Sequence, residues 1–91
     1  MLHMIVRNRV ADFSEWKRIF DSHAEAHREA GLRLIHLWQS IEDENNVFFL
    51  FEVADIEKAR KFVTAPEGTE AGKAAGVLEG EIHFLSVTGG Y

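Results

Sequence analysis

Cysteine is absent from the 91-residue chain, and proline occurs once, at position 66. No disulfide can brace the fold, and the composition fits a reducing compartment. Long apolar runs are also missing. The longest, Val47 to Phe51, is far short of the roughly 20 residues that span a bilayer as a helix, so no membrane partner is expected. Basic residues are few and scattered, ten Lys and Arg against fifteen Asp and Glu, for a net charge of −5. Nucleic acid is therefore not an expected partner, because phosphate binding needs a concentrated basic surface. The opening stretch MLHMIVRNRV has no apolar segment followed by a small-residue cleavage site. No signal peptide is expected, and a cytoplasmic location is. The stretch GTEAGKAAG lacks the order of a phosphate-binding loop, since Ala74 follows Lys73. Without cysteine, and with Ser14, Ser22, Ser40 and Ser86 in no triad-like setting, nucleophilic catalysis has no visible candidate.

What is present reads as one globular domain over residues 1–91. Hydrophobic residues make up 46% and charged residues 27%, which is too apolar for disorder. A chain this short buries a modest share of its surface and is marginal alone.

Leu2 to Val10 alternates as a strand, with Leu2, Met4, Val6, Asn8 and Val10 on one face and His3, Ile5, Arg7 and Arg9 on the other. Asp12 has the character of a helix N-cap, and Glu15 stands at capping-box spacing. One helix is expected from Phe13 to Ala30, closed by Gly31 as a left-handed cap. Leu32 to Ile41 is a second strand, EDENN a polar turn, and VFFLFEV (Val47 to Val53) a third strand rich in β-branched and aromatic residues. Asp55 caps a second helix with Ile56, Ala59, Phe62 and Val63 on one side, which Pro66 ends or interrupts. Glu67 to Gly76 reads as a glycine-weakened helix or an irregular connection, and Glu81 to Thr88 as the last strand. The tail GGY reads as extended or flexible.

The order strand, helix, strand, strand, helix, strand is the split βαββαβ, ferredoxin-like, α+β pattern. The handedness of its crossovers places the first and third strands side by side in an antiparallel sheet, with helices on one face. The third strand is apolar on both faces, as a strand covered on both sides must be. Leaving one face bare would forgo about 1.5–3 kcal/mol for each large side chain. A homodimer, sheet against sheet, is therefore expected.

Histidines carry the candidate chemistry. Phe13, Trp16 and Phe20 form a helical stripe whose continuation reaches His23, His27 and Ala30. The i,i+4 spacing puts both imidazoles on one face, close enough to share an ion. Further ligands would have to come from His36, His83, Glu52 or Asn8, and Ala24 breaks the HExxH pattern; no metal site is expected. His36 and Trp38 alternate with Ile35 and Leu37 and so share a face with Leu34. If that face meets the helices, His23 and His36 line one cavity with Trp38 as a wall. Glu52, in an apolar strand, needs a partner, for which Arg7 or Arg9 is available. His83 and His3 are weaker candidates, and Trp16 reads as core.

The phrases VADFSEWKRIFDSHAEAHREAG, FLFEVADIEKARKF and AGVLEGEIHFL resemble small proteins of the dimeric α/β-barrel superfamily. The likeness is to short stand-alone relatives of antibiotic biosynthesis monooxygenases, often called cyclase-like or uncharacterised. It implies two four-stranded sheets forming a barrel, helices outside, and a pocket in each subunit between helices and sheet. Superfamily members include cofactor-free monooxygenases, haem-degrading enzymes, lactone isomerases and polyketide cyclases, and fold alone does not choose among them. The pattern W-x-x-x-F-x-x-H (Trp16, Phe20, His23) favours His23 as the pocket residue and leaves His27 as a basic helix-end residue. A first-strand Asn acts in the haem-degrading branch, and Asn8 matches it in kind. Residues 57–76 hold no histidine, however, so haem is not expected, nor is another cofactor.

Two functions follow. The first is a cofactor-independent monooxygenase or cyclase/isomerase acting on an aromatic or polyketide-like substrate. In it His23 is the base, His36 or Asn8 stabilises the oxyanion, and Trp38, Phe20, Phe49 and Phe51 form the apolar binding walls. The alternative is a non-catalytic dimeric ligand-binding or stress-associated barrel protein with the same pocket.

Overall fold

Alternation along one strand decides the architecture. In the computed structural model, which describes residues 1–90, β3 (Asn46–Val53) buries Val47, Phe49, Phe51 and Val53 and leaves Phe48, Leu50 and Glu52 half-buried on its other side. The buried side faces the helices. β1 (Leu2–Val10) does the same with Met4, Val6 and Val10. β2 (Leu32–Gln39) pairs with β3, β3 with β1, and β1 with β4 (Val77–Ser86), all antiparallel. The sheet order is β2-β3-β1-β4, with β1 and β3 central. This is the expected ferredoxin-like α+β arrangement.

Helix starts follow from side-chain caps. α1 (Phe13–Ser22) begins at Asp12, whose carboxylate accepts from the Glu15 N–H at 3.1 Å. Only half of the capping box forms, because the Glu15 carboxylate turns to Arg18 instead. Asn45, from the β2–β3 loop, accepts from the Phe13 N–H at 2.9 Å and ties that loop to the helix start. α3 (Ile56–Thr64) begins at Asp55, which accepts from the N–H groups of Glu57 and Lys58 at 3.0 and 3.2 Å.

Three expectations are corrected. The single helix over 13–30 is two, because α1 stops at Ser22 and α2 (Ala24–Glu29) follows. The Ser22 hydroxyl donates back to the Ile19 carbonyl at 2.6 Å and competes with the helical ladder. His23 then leaves helical geometry (φ −97°, ψ 11°), and its N–H donates to Phe20 three residues back. Of the two readings kept for Glu67 to Gly76, the helix is the one found, as α4 (Pro66–Ala74) with proline in its first turn. β4 begins at Val77 rather than Glu81, since Val77–Gly80 pairs with Val10–Asn8 despite an irregularity at Leu78. Glu52 pairs with Arg33 at 2.8 Å, not with Arg7 or Arg9, because Arg33 stands directly opposite it in the β2–β3 register. Arg7 instead forks onto Glu79 and Glu81 at 2.8 and 2.6 Å. Those hydrogen bonds hold both carboxyl groups below the usual carboxylate range.

The register of β2 matters most for function. Leu34 faces Phe51 and His36 faces Leu50, so Ile35 is an extra residue, a β-bulge. The bulge flips the strand's alternation. Leu34 lies on the helix side, while His36 (opposite Leu50) and Trp38 (opposite Phe48) lie on the bare side. His36 and Trp38 stack there on each other, ring centroids 5.0 Å apart. Gly89 and Gly90 follow β4 without regular structure; Tyr91 lies outside the described residues. Among the described residues, no helix is long and apolar enough to cross a membrane.

Gly31 closes α2 with φ +75°, as expected, and its carbonyl accepts from the Ala54 N–H at 2.9 Å. A Cβ there would meet ordinary space, 3.5 Å from the Ala54 Cβ, so backbone strain alone decides the outcome of a substitution. Gly31→Ala is expected to lower the unfolding free energy by about 1–2 kcal/mol, read as a lower urea midpoint at unchanged m-value. An unchanged or higher midpoint contradicts this assignment.

Candidate functional site

The helices do not cover the sheet completely. α1 packs its aromatic face on β3. Trp16 stacks on Phe20 (centroids 4.7 Å apart), and both rings meet Phe49, at 5.5 and 5.0 Å. α3 and α4 pack on the other side. Between the two helix pairs and the sheet lies a cavity of about 740 Å³. Its floor is Met4, Val6 and Asn8 of β1, Phe49 and Phe51 of β3, and Gly80 and Ile82 of β4. One wall is Trp16, Ile19, Phe20, His23, Ala26 and His27; the other is Phe62 and Val63 with Glu67, Gly68, Thr69, Ala71, Gly72 and Lys73 of α4. The lining is apolar except for a few groups, which is the usual character of a small-molecule site.

Five of the seven candidates named from the sequence line this space. Phe20, Phe49, Phe51, His23 and Asn8 all line the cavity. His36 and Trp38 do not; the Ile35 bulge carries them to the opposite face of the sheet. The expected cavity shared by His23 and His36 is therefore not formed. His83 and His3 are also on that opposite face, paired in register with Ile5 and Leu85 respectively.

His27 is the residue the sequence reading set aside. On α2, His27 turns inward beside His23. Its ring sits 5.0 Å from Phe20, 5.1 Å from Phe51 and 5.7 Å from Phe62, measured between centroids. Burial pushes its pKa down, and the neighbouring His23 pushes in the same direction. The imidazole is thus uncharged at neutral pH, able to accept a proton or a hydrogen bond. The signal was in the sequence: the stripe Phe20, His23, His27 already counted both residues inward. Among the described residues, no cluster of three or more His, Asp or Glu side chains is placed to hold a metal ion.

The chain matches no protein-family model, and no curated protein matches it. Solved structures match in fold. SnoaB, a cofactor-independent oxygenase from Streptomyces nogalater, aligns at TM-score 0.76 and 16% identity, over 98% of this chain and 94% of that one. An antibiotic biosynthesis monooxygenase aligns at TM-score 0.71 and 14% identity, over 98% of this chain and all of that one (100%). An uncharacterised NIPSNAP domain protein from Burkholderia xenovorans aligns at TM-score 0.69 and 16% identity, over 97% and 95%. The fold is thus the one these proteins share, as the sequence resemblance implied.

The inward His27 has a pH signature. Its folded-state pKa lies below the ordinary imidazole value of about 6.5, so the unfolded chain binds the proton more readily. The stability this confers is complete above that ordinary value and is lost as pH falls through the lowered folded value. Acidification from pH 7 to pH 5 is expected to lower the melting temperature of the wild type more than that of His27→Phe, which keeps the ring and removes the proton site. Parallel pH profiles for the two proteins contradict the placement.

Proposed function

We propose that this chain binds a compact, ring-containing small molecule in the cavity between helices and sheet. The reaction it best suits is cofactor-independent oxygenation, or a cyclisation or isomerisation driven by proton transfer. The observation that carries this reading is the lining: two imidazoles and one carboxamide set among Phe, Trp, Ile, Val and Met side chains, with Glu67, Thr69 and Lys73 along the α4 wall. Rings of the wall exclude water and stack on a planar ligand. An uncharged His27, assisted by His23, takes a proton from the carbon beside a carbonyl or phenol, and Asn8 donates to the oxygen where the negative charge collects. In an isomerase the proton returns at another carbon; burial of the imidazolium favours that return. In oxygenation the carbanion itself reduces dioxygen. A CH₂ group becomes a carbonyl, one oxygen atom enters it, and the other leaves as water with the two hydrogens, so no external reductant is consumed. The fold shared with SnoaB, a cofactor-independent oxygenase, supports this choice.

The non-catalytic reading keeps one observation of its own: His36, an expected partner in catalysis, faces away from the cavity. Oxygen uptake with small aromatic hydroxy-ketones and quinols separates the two. Turnover that falls at least tenfold in His27→Ala and in Asn8→Ala supports the enzyme. Binding without turnover selects the binding protein, and no binding by any of these compounds contradicts both.

A homodimer belongs to the same proposal. The bare face of the sheet carries Ile5, Phe48, Leu50, Trp38 and Leu85, and Trp38 and Leu85 are each 44% exposed. A second copy laid on this face removes them from water. Sedimentation equilibrium at micromolar concentration is expected to give twice the chain mass, reduced toward one chain by Trp38→Glu; a monomeric wild type contradicts it.

A further inference from the structure

Gly80 stands inside β4, where a glycine weakens pairing and contributes no packing. Its backbone does not require glycine: among the described residues only Gly31 and Gly76 have positive φ. Nor is it the irregular residue of its ladder, which is Leu78; Gly80 pairs in register with Asn8. What occupies the space of its missing side chain is the Asn8 carboxamide. A Cβ at position 80 would stand 2.8 Å from Asn8 Oδ1 and 3.4 Å from the Arg7 carbonyl oxygen. The first is closer than Cβ atoms approach, so the Asn8 side chain would have to swing away. Both residues line the cavity, and among the described residues no hydrogen bond of the Asn8 side chain is formed. We propose that Gly80 is a positioning residue. By lacking a side chain it lets the Asn8 carboxamide lie flat against β4 and present free polar atoms to an oxygen function at the edge of an apolar ligand. This rests on the reading that the cavity binds small molecules, and it adds what the ligand must carry: one hydroxyl or carbonyl directed at the β1–β4 side.

Two probes of nearly one shape test it: 1-naphthol, which has the oxygen, and 1-methylnaphthalene, which does not. Binding is read by fluorescence of Trp16 in the cavity wall, in protein carrying Trp38→Phe so that Trp16 is the single reporter. That protein is expected to prefer 1-naphthol by about five- to tenfold, as one hydrogen bond supplies. In the same background Gly80→Ala and Asn8→Ala each bring the ratio of affinities near one, and the double substitution lowers it no further. Preference retained in Gly80→Ala, or in Asn8→Ala, overturns the inference. Equal binding of both probes before either substitution overturns it while leaving the pocket reading intact. Binding of neither probe overturns both. Should Gly80→Ala melt early, the double variant removes the atom it meets and is expected to recover the melting temperature; failure to recover also overturns the proposal.

Discussion

The docking of the Trp16–Phe20 face of α1 onto Phe49 and Phe51 of β3 fixes where everything else in this protein can stand. These four rings join a helix to a central strand with centroid separations of 4.7–6.3 Å. Each buried aromatic contributes a few kcal/mol, on the order of 1.5–3 for the larger side chains, and their edge and stacked contacts define one angle of approach. With α1 set, α2 leans on the Phe20 and Phe51 rings, and His27 enters the same cluster. The cavity is the space left between these rings, Phe62 and Val63 of α3, and an α4 wall that includes the small residues Gly68, Ala71 and Gly72.

This places polar chemistry at the edge of an aromatic core. An imidazole among three phenylalanines is held neutral by desolvation, with the neighbouring His23 acting in the same sense. A second group of charges lies on the other face of the sheet. There Arg7 bridges β1 to Glu79 and Glu81 of β4 and to Asn46 of β3, the last at 2.9 Å. Exposed pairs of this kind add little stability individually. Their effect is to place charge around the apolar centre of the bare face.

Much of this was legible in the sequence for identifiable reasons. β1, β3 and the starts of α1 and α3 follow from period-two alternation and from Asp12 and Asp55, signals that act over a few residues. The helical stripe named Phe20 and His23, and the alternation of the third strand named Phe49 and Phe51, all of which line the cavity. Two features were not legible because they are single-residue irregularities with no compositional mark. The bulge at Ile35 reverses the faces of His36 and Trp38, since one extra residue exchanges the two sides of a strand. The break at His23 depends on a Ser22 hydroxyl that bonds its own helix, a choice a serine makes only in context. His27 was misjudged for a different reason: its spacing pointed inward, and the family likeness outweighed the spacing. Gly80 fell outside the expected last strand, which was placed at Glu81 to Thr88, and only the carboxamide beside it explains the residue.

The central claim is that ligands enter between the helices and the sheet, beside His27, and not on the face that carries Trp38. Intermolecular nuclear Overhauser contacts from bound 1-naphthol measure this directly. The account predicts contacts from the naphthol ring protons to Phe20, Phe51 and His27 and none to Trp38 or His36. Contacts to Trp38 and His36, with none to His27, would contradict it.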